Sequence, residues 1–171
     1  MHLNNIRIIL ISTSHPGNIG ATARAMKNMG LQHLYLVTPQ NIPNQNSYEL
    51  AAGADDLINN AVICSSLEQA LSDCHLVYAT SARAREISLP GLLPNECAQQ
   101  IAQHNDQTKI AIVFGNERSG LSNQELILCH YHVHIPSNPH FSSLNLAQAV
   151  QIIAYELRMN WLHLDGKQAI L

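Results

Sequence analysis

The chain has 171 residues, the length of a single domain that can hold a core without disulfides or metal. Hydrophobic residues make up 46% of it and charged residues 12%. This composition excludes an intrinsically disordered chain and predicts an apolar surface hidden by oligomerisation. The net charge of -3 excludes a polybasic coat, although it leaves room for RNA binding through a local basic patch.

The sequence carries no sign of a membrane or secretory protein. No apolar run approaches the roughly 20 residues of a membrane span, and the first residues lack the basic and apolar regions of a signal peptide. The four cysteines, Cys64, Cys74, Cys97 and Cys129, show no paired spacing. We therefore expect reduced, mostly buried thiols in a cytoplasmic protein.

Short apolar segments alternate with helix-forming segments along the chain. Strands are predicted at 6–11, 34–37, 61–63, 76–79, 110–114 and 131–135. Helices are predicted at 21–29, 48–52, 66–71, 94–103 and 122–128, followed by a long helix at 143–164. This alternation predicts an α/β fold around a mostly parallel sheet that is covered on both faces. We expect one domain over residues 1–165 and a polar tail over 166–171.

The first of three candidate loops has the pattern Asn18-x-Gly20-x-x-x-Arg24, after the first strand. An asparagine can bind a hydroxyl or a base edge, and a glycine permits close approach of a backbone. Arg24, expected in the first turns of the following helix, can grip a phosphate with its two-pronged guanidinium. An asparagine helix cap with a surface arginine explains the same residues. The Gly-x-Gly-x-x-Gly fingerprint is absent, which argues against a nicotinamide or flavin oxidoreductase.

Two further loops follow later strands. The segment from Gly115 to Gly120 frames a Glu117-Arg118 pair, for which a charged turn is the alternative reading. The segment from Ile135 leads into the long helix, where Ser143 is a natural N-cap. We expect Asn145 two residues inside that helix, and a poor helix former kept there indicates a ligand. Because ligands gather at the carboxyl ends of strands in open α/β sheets, the three loops predict one site.

Together the three loops resemble the signature motifs of the SPOUT methyltransferases, in the SpoU/TrmH branch. That branch shows Asn-x-Gly-x-x-x-Arg, then a strand with Gly-x-Glu-x-x-Gly, then Ile-Pro followed by Ser-Leu-Asn entering a long helix. Other segments resemble the members that methylate tRNA at position 32 of the anticodon loop; these are 13–18, 26–31, 51–54, 80–83 and 129–133. Those members continue with a C-terminal helical extension, which we expect this chain to lack.

The resemblance implies an S-adenosylmethionine-dependent ribose 2′-O-methyltransferase acting on a cytidine or uridine of tRNA. An rRNA target and a non-catalytic RNA-binding protein are the alternatives. It also implies a deep C-terminal trefoil knot and an obligate homodimer. The implied catalytic residues are Arg24, Ser143, Asn18 and Glu117. The implied cofactor-binding residues are Thr80, Ser81, Ala82, Gly115, Ile135, Ser143, Leu144 and Asn145.

The charged and histidine residues allow several expectations. Arg24, Lys27, Arg83, Arg85 and Arg118 are predicted to place positive charge over one mouth and bind RNA, with a scattered solvated set as the alternative. Glu68, Asp73 and Glu96 are expected to be solvated helix charges. His130, His132 and His134 share one face of a strand, but no suitably spaced carboxylate or thiolate joins them, so we predict no metal site.

The long helix carries an apolar stripe at three- and four-residue spacing. Its members are Leu146, Val150, Ile153, Leu157, Trp161 and Leu164. Such a stripe predicts a buried face. We expect it to cover the sheet in part and to form part of a dimer interface.

Overall fold

The computed structural model describes residues 2–80 and 88–164. Its centre is a seven-stranded sheet with the order β3-β2-β1-β6-β4-β7-β5. The strands are β1 (Ile6–Ile11), β2 (His33–Val37), β3 (Val62–Cys64), β4 (Leu76–Thr80), β5 (Gly91–Leu92), β6 (Ile110–Phe114) and β7 (Tyr131–Val133). Every neighbouring pair is parallel, so all carboxyl ends lie along one edge of the sheet. The predicted parallel α/β fold is confirmed.

Seven helices connect and cover these strands in the described part of the chain. They are α1 (Pro16–Lys27), α2 (Gln45–Ala51), α3 (Asp55–Asn59), α4 (Leu67–Leu71), α5 (Pro94–Ala102), α6 (Asn123–Leu126) and α7 (Leu146–Leu164). A short 3-10 turn at Leu3–Asn5 precedes β1. Neither α3 nor β5 was predicted: α3 follows Ala54, which offers no capping side chain, and the two residues of β5 are too few to show a period. The tail predicted at 166–171 lies outside the described residues.

The core has two layers, one on each face of the sheet. Successive side chains of β1 point to opposite faces, so Ile8 joins one cluster and Ile9 the other. The first cluster includes buried residues of α1, α5 and α7, and the second includes Leu67 of α4 and Leu126 of α6. All six residues of β1 are buried, as expected for a strand covered on both faces.

Helix α7 packs against α1 and α5, and the middle of its predicted stripe points inward, whereas Leu164 at the end is 52% exposed. Val150, Ile153 and Leu157 are each at most 1% exposed. A second apolar row has the same helical spacing and stays partly or largely exposed; it consists of Ile152, Tyr155, Met159 and Leu162. The buried members of the predicted stripe therefore cover the sheet and cannot meet a partner, whereas this second row can.

Asp73 is exposed, as expected, but it lies beyond the end of α4 and belongs to an ion-pair cluster. Its carboxylate accepts hydrogen bonds from Arg7 at 2.8 and 3.0 Å and from Lys109 at 3.0 Å. Arg7 is only 8% exposed, and its guanidinium also lies 4.3 Å from the centre of the Tyr35 ring. The hydrogen bonds from Arg7, and then from Lys109, hold the pKa of Asp73 well below its usual range. Asp73 thus neutralises a buried cation.

The cysteines agree with the expectation of reduced thiols. All four are free, and Cys64, Cys97 and Cys129 are buried. Burial raises the pKa of Cys97 and of Cys129 to about 12. Because the thiolate is the reactive form, these two side chains pack as inert apolar groups.

Candidate active site

A cavity of about 690 Å³ opens at the carboxyl edge of the sheet. Its walls come from the loops after β1, β6 and β7 and from Thr80 at the end of β4. The strands β1, β6, β4 and β7 are direct neighbours, so these loops meet as predicted. A cavity of this size suits a small-molecule ligand. The predicted site residues in its walls are Asn18, Thr80, Gly115, Glu117, Arg118, Ile135, Ser143, Leu144 and Asn145.

Glu117 ties the second loop to the first. Its carboxylate accepts hydrogen bonds from the backbone N–H of Ser14 at 3.0 and 3.1 Å, from that of His15 at 3.1 Å and from Nδ2 of Asn18 at 2.9 Å. Burial acts against ionisation of the carboxyl, but these donors outweigh it and lower the pKa of Glu117. The side chain is therefore an ionised anchor, with three hydrogen bonds accepted by Oε2 and one by Oε1.

Asn18 connects Glu117 to the third loop through hydrogen bonds on both sides of its amide. Its Oδ1 accepts a hydrogen bond of 3.3 Å from Nδ2 of Asn145, while its Nδ2 donates to Glu117. Both oxygen and nitrogen of the amide are thus used, which fixes its orientation. One chain of hydrogen bonds therefore joins Glu117, Asn18 and Asn145, residues from three loops that lie up to 127 positions apart.

The start of α7 corrects two predictions. The helix begins at Leu146, so Asn145 precedes it instead of lying two residues inside, and Ser143 is not its cap. Oδ1 of Asn145 accepts from the Ala147 N–H at 2.8 Å, and Gln148 accepts from the Asn145 N–H at 2.9 Å. Asn145 is therefore the N-cap of α7, and Gln148 satisfies the Asn145 N–H in return. Ser143 is left exposed in the cavity wall, where its hydroxyl can meet a ligand.

Close backbone approaches shape the first two loops. A Cβ on Gly115 would collide with the backbone of Gly120 and Leu121, and Gly120 itself adopts a φ of 66°. Asn116 closes the same loop, since its Oδ1 accepts from the N–H groups of Arg118 and Ser119. The loop is therefore rigid, which holds Glu117 in place.

Gly20 also permits a close approach, but of a helix. A Cβ there would collide with the Ser47 carbonyl of α2. The glycine therefore sets how tightly α1 packs on α2 instead of admitting a ligand. Helix α1 begins at Pro16 and so contains both Gly17 and Gly20. Because of this early start, Arg24 lies in the last turn of the helix rather than in its first.

The basic residues predicted to bind RNA are only partly brought together. Arg118 is exposed in the cavity wall. Arg24 is exposed on α1 and lies outside the cavity walls. Lys27 pairs with Asp56 at 2.8 Å, so its charge is already neutralised within the chain. The predicted residues Ser81, Ala82, Arg83 and Arg85 lie outside the described residues.

Sequence reasoning missed the part that Asn116 and the backbone of Ser14 play. Nδ2 of Asn116 donates to the Ser12 carbonyl at 2.7 Å and to Oγ of Ser14 at 3.0 Å. These bonds hold the turn after β1, where Ser12 has a φ of 51°. An asparagine after a glycine is a turn signal that predicts local bonds. Donation by a backbone N–H leaves no trace in the residue type.

His130 makes a structural contact, and the described residues hold neither a metal-binding group nor a membrane-spanning helix. Nδ1 of His130 accepts a hydrogen bond from the Val77 N–H at 3.0 Å, so it closes the end of a strand. Within residues 2–80 and 88–164, no group of three His, Cys, Asp or Glu side chains is placed to hold a metal ion. Over the same residues, no helix is both long and apolar enough to span a bilayer.

Several known proteins are similar to this chain over nearly its whole length. The tRNA (cytidine/uridine-2′-O-)-methyltransferase TrmJ of Pectobacterium atrosepticum is 57% identical over 167 residues, which are 98% of this chain and 68% of that protein. TrmJ of Photorhabdus laumondii is 54% identical over 96% of this chain and 68% of its own length. The chain thus spans about two thirds of these relatives.

Solved structures and a sequence family agree with this similarity. A probable methylase family protein from Haemophilus influenzae Rd KW20 superposes with a TM-score of 0.91 at 51% identity, over 99% of this chain and 72% of that one. The SpoU rRNA methylase family matches residues 5–155, a range that holds all three loops. The chain therefore belongs to the SpoU rRNA methylase family.

Proposed function

We propose that this protein transfers a methyl group from S-adenosylmethionine to the ribose 2′-hydroxyl of a cytidine or uridine at position 32 of tRNA. One observation carries the proposal most directly. The three loops meet at a single cavity and are joined there by the hydrogen bonds between Glu117, Asn18 and Asn145. The similarity to tRNA (cytidine/uridine-2′-O-)-methyltransferases supports the choice of tRNA and of a pyrimidine ribose.

The residues of the cavity fit S-adenosylmethionine. Ile135, Leu144 and Leu146 offer partly exposed apolar surface for a flat adenine ring, whereas Thr80 and Ser143 offer hydroxyls for its polar ends. Backbone groups at Thr80, Gly115, Ile135, Ser143 and Leu144 would hold the cofactor, with Asn145 nearby, and Ser81 and Ala82 complete the proposed set. When bound, the cofactor supplies a methyl group already activated on a positively charged sulfur, so no metal is required.

The protein's own groups have to align the ribose and assist loss of its proton. Ser143, exposed in the cavity wall, is placed to hydrogen-bond the ribose. We do not assign Glu117 as the base, because its carboxylate already accepts hydrogen bonds from three donors and its pKa is lowered. A guanidinium offers hydrogen-bond donors and no acceptor, so we assign Arg24 to clamping the target phosphate and polarising the 2′-hydroxyl, with phosphate or water accepting the proton.

The position of Arg24 favours a site shared between two subunits. Arg24 lies on α1 outside the walls of the cavity in its own chain. A homodimer that lets the arginine of one subunit serve the cavity of the other would resolve this separation, and the partly exposed row on α7 offers an apolar surface for it. A deep trefoil knot and a cytoplasmic location complete the proposal, supported by membership of the family.

The test is methyl transfer from labelled S-adenosylmethionine to total tRNA and, in parallel, to rRNA, followed by mapping of the modified nucleotide. We expect label in tRNA at position 32. Label in rRNA alone would favour the alternative suggested by the name of the family. Absence of transfer to both would refute the proposal. Calorimetry in excess chelator should show undiminished cofactor binding, and loss of binding there would contradict a metal-free site.

A further inference from the structure

Phe141 is the most exposed large hydrophobic side chain in the described part of the protein, at 77%. The other phenylalanine, Phe114, is 2% exposed in the core. Single exposed apolar residues are common, so exposure alone carries little meaning. The fixed turn that holds Phe141 and the cavity beside it indicate that the exposed ring contacts a ligand.

The backbone that presents Phe141 is held in a tight turn. The carbonyl of Asn138 accepts from the Phe141 N–H at 3.0 Å, and Oδ1 of Asn138 accepts from the His140 N–H at 3.0 Å. Pro139 fixes the second position of the turn. The Ser137 hydroxyl, itself in the cavity wall, donates to the Ser142 carbonyl at 3.1 Å and closes the loop. The ring is therefore held out by a fixed turn rather than by a frayed end.

The turn lies at the rim of the cavity. Ser142 and Ser143, the next two residues after Phe141, both line it. Consecutive Cα atoms are about 3.8 Å apart, so the Cα of Phe141 lies within about 7 Å of that of Ser143. Arg118, a cation, lies in the wall of the same cavity. An aromatic face and a guanidinium beside one cavity are the pair that single-stranded RNA binders use for base and phosphate.

We propose that Phe141 stacks on the base of the target nucleotide, splayed out of the anticodon loop. The inference rests on the function proposed above, which places the ribose beside Ser143. A base is bonded to the ribose carbon next to the one that carries the 2′-hydroxyl, so a ribose at Ser143 brings its base to the rim. Stacking reads the flat face of a base and not its edge. Phe141 therefore accepts cytidine and uridine alike.

The test compares Phe141→Ala, Phe141→Leu and Phe141→Tyr in the full chain. An unmodified tRNA transcript is the probe, with its dissociation constant measured by fluorescence anisotropy at fixed salt and methyl transfer measured in parallel. We expect Phe141→Ala and Phe141→Leu to weaken binding about 5- to 150-fold, the equivalent of the 1–3 kcal/mol of one stacked base, and Phe141→Tyr to bind normally. Cofactor affinity should not change in any of them. Ile127→Ala, which removes a side chain 67% exposed on another surface, is the control and should bind normally.

A transcript with an abasic ribose at position 32 identifies the stacked base. On that RNA, the penalty of Phe141→Ala should disappear, because the partner of the ring is already absent. A penalty of unchanged size there would overturn the assignment to the target base. Wild-type binding by Phe141→Leu, or dissociation of a dimer by Phe141→Ala in light scattering, would show an apolar protein contact instead of stacking.

The binding arm separates this inference from the proposed function. Wild-type protein that binds the transcript without methylating it, with the same order among the variants, would refute the enzyme activity and leave the stacking role intact. Methylation of the transcript by the wild-type protein, with equal tRNA affinity for all variants, would refute the stacking role and leave the enzyme activity intact. Wild-type protein that fails to bind tRNA would overturn both.

Discussion

Replacing Glu117 by glutamine tests whether this carboxylate anchors the site. In the wild-type protein, it accepts hydrogen bonds from the N–H groups of Ser14 and His15 and from Nδ2 of Asn18. Glutamine keeps the size of the side chain but turns one oxygen into a donor and removes the charge. One face of the new amide would then confront N–H groups that no longer find an acceptor there.

The size of the effect follows from the number and kind of bonds. A hydrogen bond to a charged group contributes about 1.5–3 kcal/mol, against about 0.5–1.5 for a neutral one. Three donors lose charge assistance, but the carboxylate is half-buried and solvent screens part of the gain. We expect a loss of about 1.5–3 kcal/mol in the free energy of unfolding. For a chain of this length, that lowers Tm by about 3–12 °C.

The pKa of Glu117 also predicts how the difference in stability between wild type and Glu117→Gln changes with pH. The pKa of Glu117 is lowered in the folded protein, so its stabilisation is complete above the unfolded pKa of about 4.3 and is lost as pH falls through the folded value. Glutamine does not titrate. The gap in Tm between wild type and Glu117→Gln should stay constant from pH 8 to about 6 and narrow below about 4.5.

Thermal unfolding followed by circular dichroism, at one fixed protomer concentration, measures both effects. Glu68→Gln is the matched control, because Glu68 is exposed on α4, and it should shift the free energy of unfolding by less than about 0.5 kcal/mol. If Glu117→Gln unfolds at the temperature of this control at pH 7, or if the gap widens in acid, Glu117 does not anchor the loops.

Three further predictions concern packing, charge and the shared site. Gly20→Ala should cost about 1–3 kcal/mol by forcing α2 away from α1, whereas Gly91→Ala, with open space around its Cβ, should be neutral or slightly stabilising in denaturant unfolding. Asp73→Asn should cost about 1–2 kcal/mol at pH 7 after allowance for exposure, and this loss should shrink below about pH 4 in the same assay. Arg24→Ala should abolish methyl transfer while calorimetry shows unchanged cofactor affinity. Mixing the Arg24→Ala and Asn145→Ala variants should restore some transfer in heterodimers. If the subunits exchange and transfer is not restored, the site is not shared.

The sequence predicts the elements whose signal is local. The apolar runs that became β1 and β6 and the periodic apolar residues of α7 were recognised because each pattern is complete within one segment. The meeting of the three loops also followed from sequence, because the carboxyl ends of parallel strands share an edge. The contacts between Glu117 and the backbone of Ser14 could not be predicted, because almost every residue carries a backbone N–H and the residue type does not show where it points.

The predictions that failed depend on distant contacts. Gly17 and Gly20 suggested a loop, yet both are helical, because the missing side chains make room for α2. The predicted helix began at residue 21, whereas α1 begins at Pro16. Arg24 was therefore expected in the first turn and lies in the last. Asp73 is exposed, as predicted, but its pairing with Arg7 was missed because the two residues are 66 positions apart and only the folded sheet brings them together.

The geometry of α1 separates the two polar side chains of its motif, Asn18 and Arg24. At 3.6 residues per turn, the six-residue step from Asn18 to Arg24 amounts to about 600°, which leaves the two side chains about 120° apart around the helix and about 9 Å apart along it. Asn18 faces the cavity of its own chain, where Glu117 and Asn145 fix it, so Arg24 has to point elsewhere. In the proposed homodimer, this orientation would let Arg24 reach the cavity of the partner subunit. The helix would then hold Arg24 at a fixed spacing from Asn18 of its own subunit while it serves the other cavity.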